Sequence, residues 1–191
     1  MKMRLGLAMC GSFCTFEKVL EAAEKLAERF DIIPIMSETA AGTDTRFGRA
    51  EDFKERLRLI AGKKEILTDI VSAEPIGPKN MLDVLAVAPC TGNTLAKIAA
   101  GVTDTAVTMA VKSQLRGGKP VVLALSTNDG LSGSAANLGA LLSRENVYFV
   151  PFGQDDAEKK PRSLSADFSR IEETVLAAAA GRQVQPIILN R

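Results

Sequence analysis

The chain has 191 residues, 46% of them hydrophobic, enough to bury the core of one α/β domain spanning 1–191, and its length argues against two. Its 24 basic and 23 acidic side chains leave no global field to draw in nucleic acid or an anionic membrane surface, so a small anionic ligand must be held by local groups. Three cysteines without any histidine fit neither a secreted disulfide framework nor a zinc site, which points to a reduced cytoplasmic protein with no metal.

The opening M-K-M-R-L-G-L-A-M-C-G-S has the outline of a signal peptide, but its apolar part is only strand length and meets Gly11-Ser12, not a cleavage pattern. It predicts a first strand over 4–9. No run approaches membrane-spanning length. Further apolar runs predict strands over 31–36, 84–88, 121–126 and 147–150, the last just before Pro151. The run V-L-A-V-A at 84–88 is apolar throughout, as in an interior parallel strand covered on both faces, and Pro89 is expected to end it.

Between the strands, Val19, Leu20, Ala23 and Leu26 recur at helical spacing within 16–29, and Phe53, Leu57 and Ile60 within 50–61. Helices are also expected over 105–115, stopped by Gly117-Gly118, over 135–142, and near 166–180, where Ile171, Val175 and Leu176 share a side. Residues 63–78 read as a short strand or a helix-strand transition. A late loop over 151–165, charged from 154 to 162, leads to the final helix. Alternating β and α elements imply right-handed crossovers and a doubly wound, Rossmann-like or flavodoxin-like, mainly parallel sheet with helices on both faces.

Ligands of such sheets bind at strand carboxyl ends, and four junctions there carry suitable residues. Cys10-Gly11-Ser12 follows the first strand, where small residues let a phosphate approach free N–H groups, although the turn lacks the G-x-G-x-x-G of dinucleotide folds. Ser37 follows the second strand and offers a hydroxyl to a ligand or an N-cap to a helix. After the third strand, Thr91 and Asn93 can cap a helix whose first N–H groups face a ligand, and Cys90 is either a reactive thiol or inert packing. S-T-N-D-G at 126–130 follows the fourth expected junction and is either a ligand turn or an ordinary tight turn. Arg46 and Arg49, and the later Lys159, Lys160 and Arg162, are candidates to receive a carboxylate ligand, since an arginine fork suits a carboxylate. Lys97 lies one helical turn beyond Asn93, facing ligand or solvent.

A-P-C-T-G-N-T-L-A-K-I-A at 88–99 resembles the A-P-x-T-A-N-T-x-A-K-x-A segment of the homo-oligomeric flavin-containing cysteine decarboxylase superfamily. Together with A-E-P-I-G-P-K at 73–79, L-S-T-N-D-G-L at 125–131 and Y-F-V-P-F-G-Q-D-D at 148–156, it is similar to the dipicolinate synthase B-subunit family, over essentially the whole chain. The resemblance implies an FMN cleft in which Gly11, Ser12, Phe13 and Ser37 hold the phosphate, while Pro89, Cys90, Thr91, Asn93, Thr94 and Ser126 surround the flavin. It further implies catalytic candidates Cys90, Asn93 and Asn128, with Arg46, Arg49 and Asn128 toward substrate.

The implied activity is oxidation of dihydrodipicolinate to dipicolinate during sporulation, in the mother-cell cytoplasm of a spore former. Implied partners are the separate A-subunit of dipicolinate synthase, through which NADP enters, a small heterocyclic dicarboxylate, and further copies of the chain in a trimer or trimer-based dodecamer. Two departures weigh on catalysis: the decarboxylases' histidine, expected near 75–78, is absent, and their P-x-M-N-x-x-M-W loop is replaced by the 126–130 turn, with no Trp in the chain. The alternatives are a flavin-dependent decarboxylase of a cysteine-containing substrate and a non-catalytic accessory protein.

Overall fold

The structure is a computed structural model describing residues 2–190; residues 1 and 191, the ends of the expected domain span, lie outside the described residues. Five apolar segments form parallel strands: β1 (Met3–Met9), β2 (Phe30–Met36), β3 (Val84–Cys90), β4 (Val121–Thr127) and β5 (Val147–Phe149). Their order is β2-β1-β3-β4, with β5 beside the first half of β4. Every residue of β3 is buried, as its unbroken apolar run requires. The chain moves outward from β1 to β2, then returns to β3 and continues the other way. With right-handed crossovers, these two directions lay their helices on opposite faces, giving a doubly wound, flavodoxin-like sheet.

The helices are α1 (Phe16–Arg29), α2 (Glu38–Gly42), α3 (Ala50–Ile60), α4 (Ile70–Ala73), α5 (Gly92–Ala100), α6 (Ala106–Arg116), α7 (Ala135–Leu142) and α8 (Ile171–Ala179). The expected apolar stripe of α1 is the buried one: Val19, Leu20, Ala23 and Leu26. α6 starts at a reciprocal cap between Thr105 and Thr108 and stops at Gly117, with Gly118 at φ +67. One continuous apolar core joins these elements.

Four expectations need correction. β3 does not stop at Pro89 but runs on to Cys90, its ladder with β4 shifting register between Val87 and Cys90; an irregularity of this kind is where a strand tolerates a residue without an N–H. In 63–78, Leu67 makes a single parallel bridge to Ile35, then Asp69 and Ser72 cap α4, and a 3-10 turn follows over Glu74–Ile76. The late loop holds two short antiparallel strands, β6 (Phe152–Gly153) and β7 (Leu164–Ala166), and β7 pairs with the carboxyl tip of β4 through Ser126 and Thr127. The last helix therefore begins only at Ile171, after a 3-10 turn over Phe168–Arg170 that Asp167 caps.

An aromatic chain ties the first turn to the segment after α2. Phe16 lies 5.1 Å from Phe13 and 5.1 Å from Phe53, the latter edge-on. Phe53 in turn presses against Gly48, where φ is +150 and a Cβ would stand 2.7 Å from the ring. Phe16 is fully buried. Phe16→Ala is expected to lower unfolding free energy by about 3–5 kcal/mol, measured by denaturant titration, because both neighbouring rings lose their common partner.

Candidate functional site

Strand order reverses between β1 and β3, and the crevice beyond the carboxyl ends of strands at such a point is where open α/β sheets hold ligands. Here four turns are bonded to one another. The Ser37 N–H donates to Met9 O at the end of β1 (3.0 Å), the Cys10 thiol donates to Pro89 O (2.9 Å), and the Ser12 and Ser126 hydroxyls share a hydrogen bond of 2.6 Å. The turns after β1, β2, β3 and β4 thus converge. Gly11 sits among them, and a Cβ there would meet only the Phe13 ring and the Thr91 methyl, each at 4.0 Å.

The local chemistry differs from turn to turn. Free N–H groups were expected after β1, yet Ser12 N–H and Phe13 N–H are taken by Cys10 O (2.7 Å) and Gly11 O (3.0 Å) in two tight turns. Ser37 caps α2, its oxygen accepting from Ala40 N–H (3.2 Å), which leaves the hydroxyl proton free to donate. Thr91 caps α5 in the same way, accepting from Thr94 N–H at 3.1 Å while donating to the buried Thr94 hydroxyl. Asn93 caps nothing: it is exposed, and among the described residues its amide has no partner. Asn128 is likewise exposed and unbonded. Two amides that can each donate and accept are therefore open to a ligand.

The thiols divide sharply. Cys90 is fully buried and Cys10 nearly so; burial pushes both thiols up, Cys90 further because Cys10 lies close, while the Thr94 and Thr91 hydroxyls partly offset the effect at Cys10. Both stay neutral at physiological pH, so Cys90 lines the turn through its backbone. Cys14 is exposed. Lys97 faces Asp104, donating to both carboxylate oxygens at 2.9 and 2.8 Å.

Asp129, which the sequence presents only as a turn residue, anchors the fourth turn. Its carboxylate accepts from the Thr127 and Ser134 hydroxyls, which together hold its pKa below the usual carboxylate range. The group packs on the first residue of α5: a Cβ at Gly92 would lie 2.6 Å from Ser134 Oγ, 2.7 Å from Thr127 Oγ1 and 2.8 Å from Asp129 Oδ1. A negative charge already occupies the favourable end of the α5 dipole. This end is better suited to a neutral, carbonyl-bearing ring than to a phosphate.

Arg46 and Arg49 are not brought into these turns by any bond among the described residues. They stand exposed on a tight turn closed by reciprocal Thr45 and Gly48 hydrogen bonds, with Arg46 over the Phe47 ring at 4.8 Å. Of the late cluster, Lys159 and Arg162 are exposed, and Lys160 lines a cleft of about 590 Å³ that Ser12, Ser126 and Asn128 also line. The cleft's other contributors, Lys18 and Lys25 among them, are not singled out by sequence reasoning. Their spacing of seven residues on α1 is the only signal, and it is also the pattern of a solvated face. Among the described residues no group of three His, Cys, Asp or Glu side chains is placed to hold a metal ion, and no helix is long and apolar enough to cross a membrane.

A model of the Flavoprotein family matches residues 1–154. The dipicolinate synthase B-subunit of Bacillus subtilis (strain 168) is 40% identical over 188 residues, covering 98% of this chain and 94% of that one. The crystal structure of the dipicolinate synthase B-subunit from Bacillus halodurans C superposes with a TM-score of 0.91 at 39% identity, covering 100% of both chains. A dodecameric FMN-dependent Ubix-like decarboxylase from Escherichia coli O157:H7 is 26% identical with a TM-score of 0.60, covering 78% of this chain and 80% of that one.

Two measurements check the site. Gly92→Ala is expected to cost about 1–3 kcal/mol in denaturant unfolding, because the new methyl must displace three oxygens that hold one another. In a thiol titration of the native protein, Cys14 should label rapidly and Cys10 and Cys90 only as the chain unfolds.

Proposed function

Since the chain belongs to the Flavoprotein family and is a homologue of the dipicolinate synthase B-subunit, we propose that it is the B component of a dipicolinate synthase and that it binds FMN. In this reading it works with a separate A-subunit in the cytoplasm, oxidising a dihydrodipicolinate-type ring to the pyridine dicarboxylate. The observation that carries the reading is the convergence of four turns at one sheet edge, with two unbonded amides and a donor hydroxyl among them.

The donor set fits FMN. Gly11, whose absent Cβ would only touch Phe13 and Thr91, lets a phosphate come close to the first turn, and the Ser37 proton and the Ser12 and Ser126 hydroxyl pair are available to its oxygens. The backbone of Pro89, Cys90 and Thr91, and the side chains of Asn93 and Thr94, would face the ring, whose carbonyls suit the Asn93 amide. Bound there, FMN supplies a two-electron acceptor. The chain's own share is to orient ring and substrate: Asn93 from α5, and Asn128 from the turn that Asp129 holds against α5. NADP, on this reading, enters through the other polypeptide.

Homo-oligomers, a trimer or a trimer-based dodecamer, belong to the same proposal. The exposed Arg46-Phe47 tip and Arg49 would then meet a neighbouring copy's reactant. A decarboxylase of a cysteine-containing substrate is the weaker reading, because no histidine is present and the 126–130 turn departs from that loop. A non-catalytic accessory chain is separated by assay.

The purified chain should carry or take up FMN, seen as a visible absorbance band, and dihydrodipicolinate oxidation should require both polypeptides. A chain that cannot bind added FMN ends the flavin mechanism, and undiminished oxidation by the partner polypeptide without this chain favours the accessory role. Asn93→Ala should weaken FMN binding while changing stability by no more than about 0.5 kcal/mol, as its side chain bonds nothing in the fold. Normal FMN affinity and turnover in that variant would remove Asn93 from the site.

A further inference from the structure

The cleft of about 590 Å³ has two walls of different origin. One is α1 and the turn after β4, within the part the family model matches, residues 1–154. The other is the ribbon that includes Lys160, Ser165 and Asp167, beyond residue 154, where the match to the family model ends. The ribbon is no loose appendage. β7 is hydrogen-bonded to the tip of β4 opposite Ser126 and Thr127, and Leu164 packs so tightly on Gly130 that a Cβ there would lie 2.7 Å from its side chain.

The charges around the cleft indicate what a reactant held there carries. Of its four carboxylates, Glu172 pairs with Arg29, Asp155 faces Lys160 at 3.5 Å, and Asp167 accepts from the Ser169 N–H and hydroxyl. Only Glu21 is left without a partner among the described residues. Lys18 and Lys25 face the cleft from α1, and among the described residues neither makes an ion pair. Lys160 holds Asp155 at the long end of ion-pair range, a contact easily exchanged for a better acceptor. The Ser165 hydroxyl lines the cleft with these cations. Lys18, Lys25 and the easily exchanged Lys160 are the groups left to meet negative charge on a reactant.

We propose that this cleft seats the cyclic dicarboxylate, its carboxylates received by Lys18 and Lys25 on α1 and by Lys160 on the ribbon. The assignment rests on the preceding reading that the reactant is a dicarboxylate, and it differs from that reading in locating recognition on these lysines and not on Arg46 and Arg49. The ribbon then supplies one of the three cations that receive the reactant.

The test is calorimetric titration of the full chain with pyridine-2,6-dicarboxylate, alongside an absorbance titration with FMN. The Lys18→Gln, Lys25→Gln double variant should weaken dicarboxylate binding about tenfold or more, as loss of charge-assisted contacts requires. Lys160→Gln should weaken it by a smaller factor, rising salt should weaken it in the parent chain, and FMN affinity should stay at the parent value in all of these variants. Dicarboxylate binding that survives the double substitution, or that Arg46→Gln with Arg49→Gln abolishes instead, overturns the assignment. A chain that takes FMN but no dicarboxylate also overturns it, with the flavin reading left standing. Lysine-dependent dicarboxylate binding by a chain that takes no FMN upholds it and removes the flavin.

Discussion

The carboxyl end of β1 is the point on which the site depends. Met9 O accepts from the turn after β2, the Cys10 thiol reaches the turn after β3, and the Ser12 hydroxyl reaches the turn after β4. None of these bonds is worth more than about 1 kcal/mol net, so they do not hold the sheet together. Their consequence is geometric. They convert four separate loops on a rigid apolar sheet into one surface, and a binding surface made of loops is useful only when the scaffold fixes the loops relative to one another.

That surface is polarised by what each turn has already used. After β1, two N–H groups are spent on tight turns, so the attraction for a phosphate falls on hydroxyl protons and on the space beside Gly11. At α5, Asp129 brings a negative charge to the positive end of the helix, and the unbonded Asn93 amide is the group that remains to meet a ligand. Burial pushes the Cys10 and Cys90 thiols up and so favours their neutral form. Orientation through amides and hydroxyls is what the chain retains, which is the task of a protein whose cofactor carries the electron chemistry.

The parallel strands and the long helices were legible in the sequence because each carries its own period: the all-apolar run of β3 and the 19, 20, 23, 26 stripe of α1 state their burial without reference to the rest of the chain. The ribbon was not. β6 and β7 are two and three residues long, too short to show alternation, and they are strands only because the tip of β4 offers β7 an edge and β7 offers one to β6. The same reasoning covers the site. Ser37 and Thr91 could be placed at helix starts from local rules, whereas the cleft-facing role of Lys18 and Lys25 depends on a wall more than a hundred residues away in sequence.

Two departures from the flavin-family pattern, distant in sequence, turn out to be one change in space. The pattern has alanine where this chain has Gly92, and an asparagine-bearing loop with Met and Trp where this chain has S-T-N-D-G. With alanine at 92, the methyl would stand only 2.6–2.8 Å from the Asp129 carboxylate and the two hydroxyls that hold it, so they would have to shift. The smaller residue therefore makes room for the acidic turn. Their joint effect is to fasten the Asn128 turn to the helix that presents Asn93, so the reshaped fourth turn is held as firmly as the segments whose pattern was kept. The turn needs no histidine to hold its shape, since Thr127, Ser134 and Asp129 fix it by hydrogen bonds to one another.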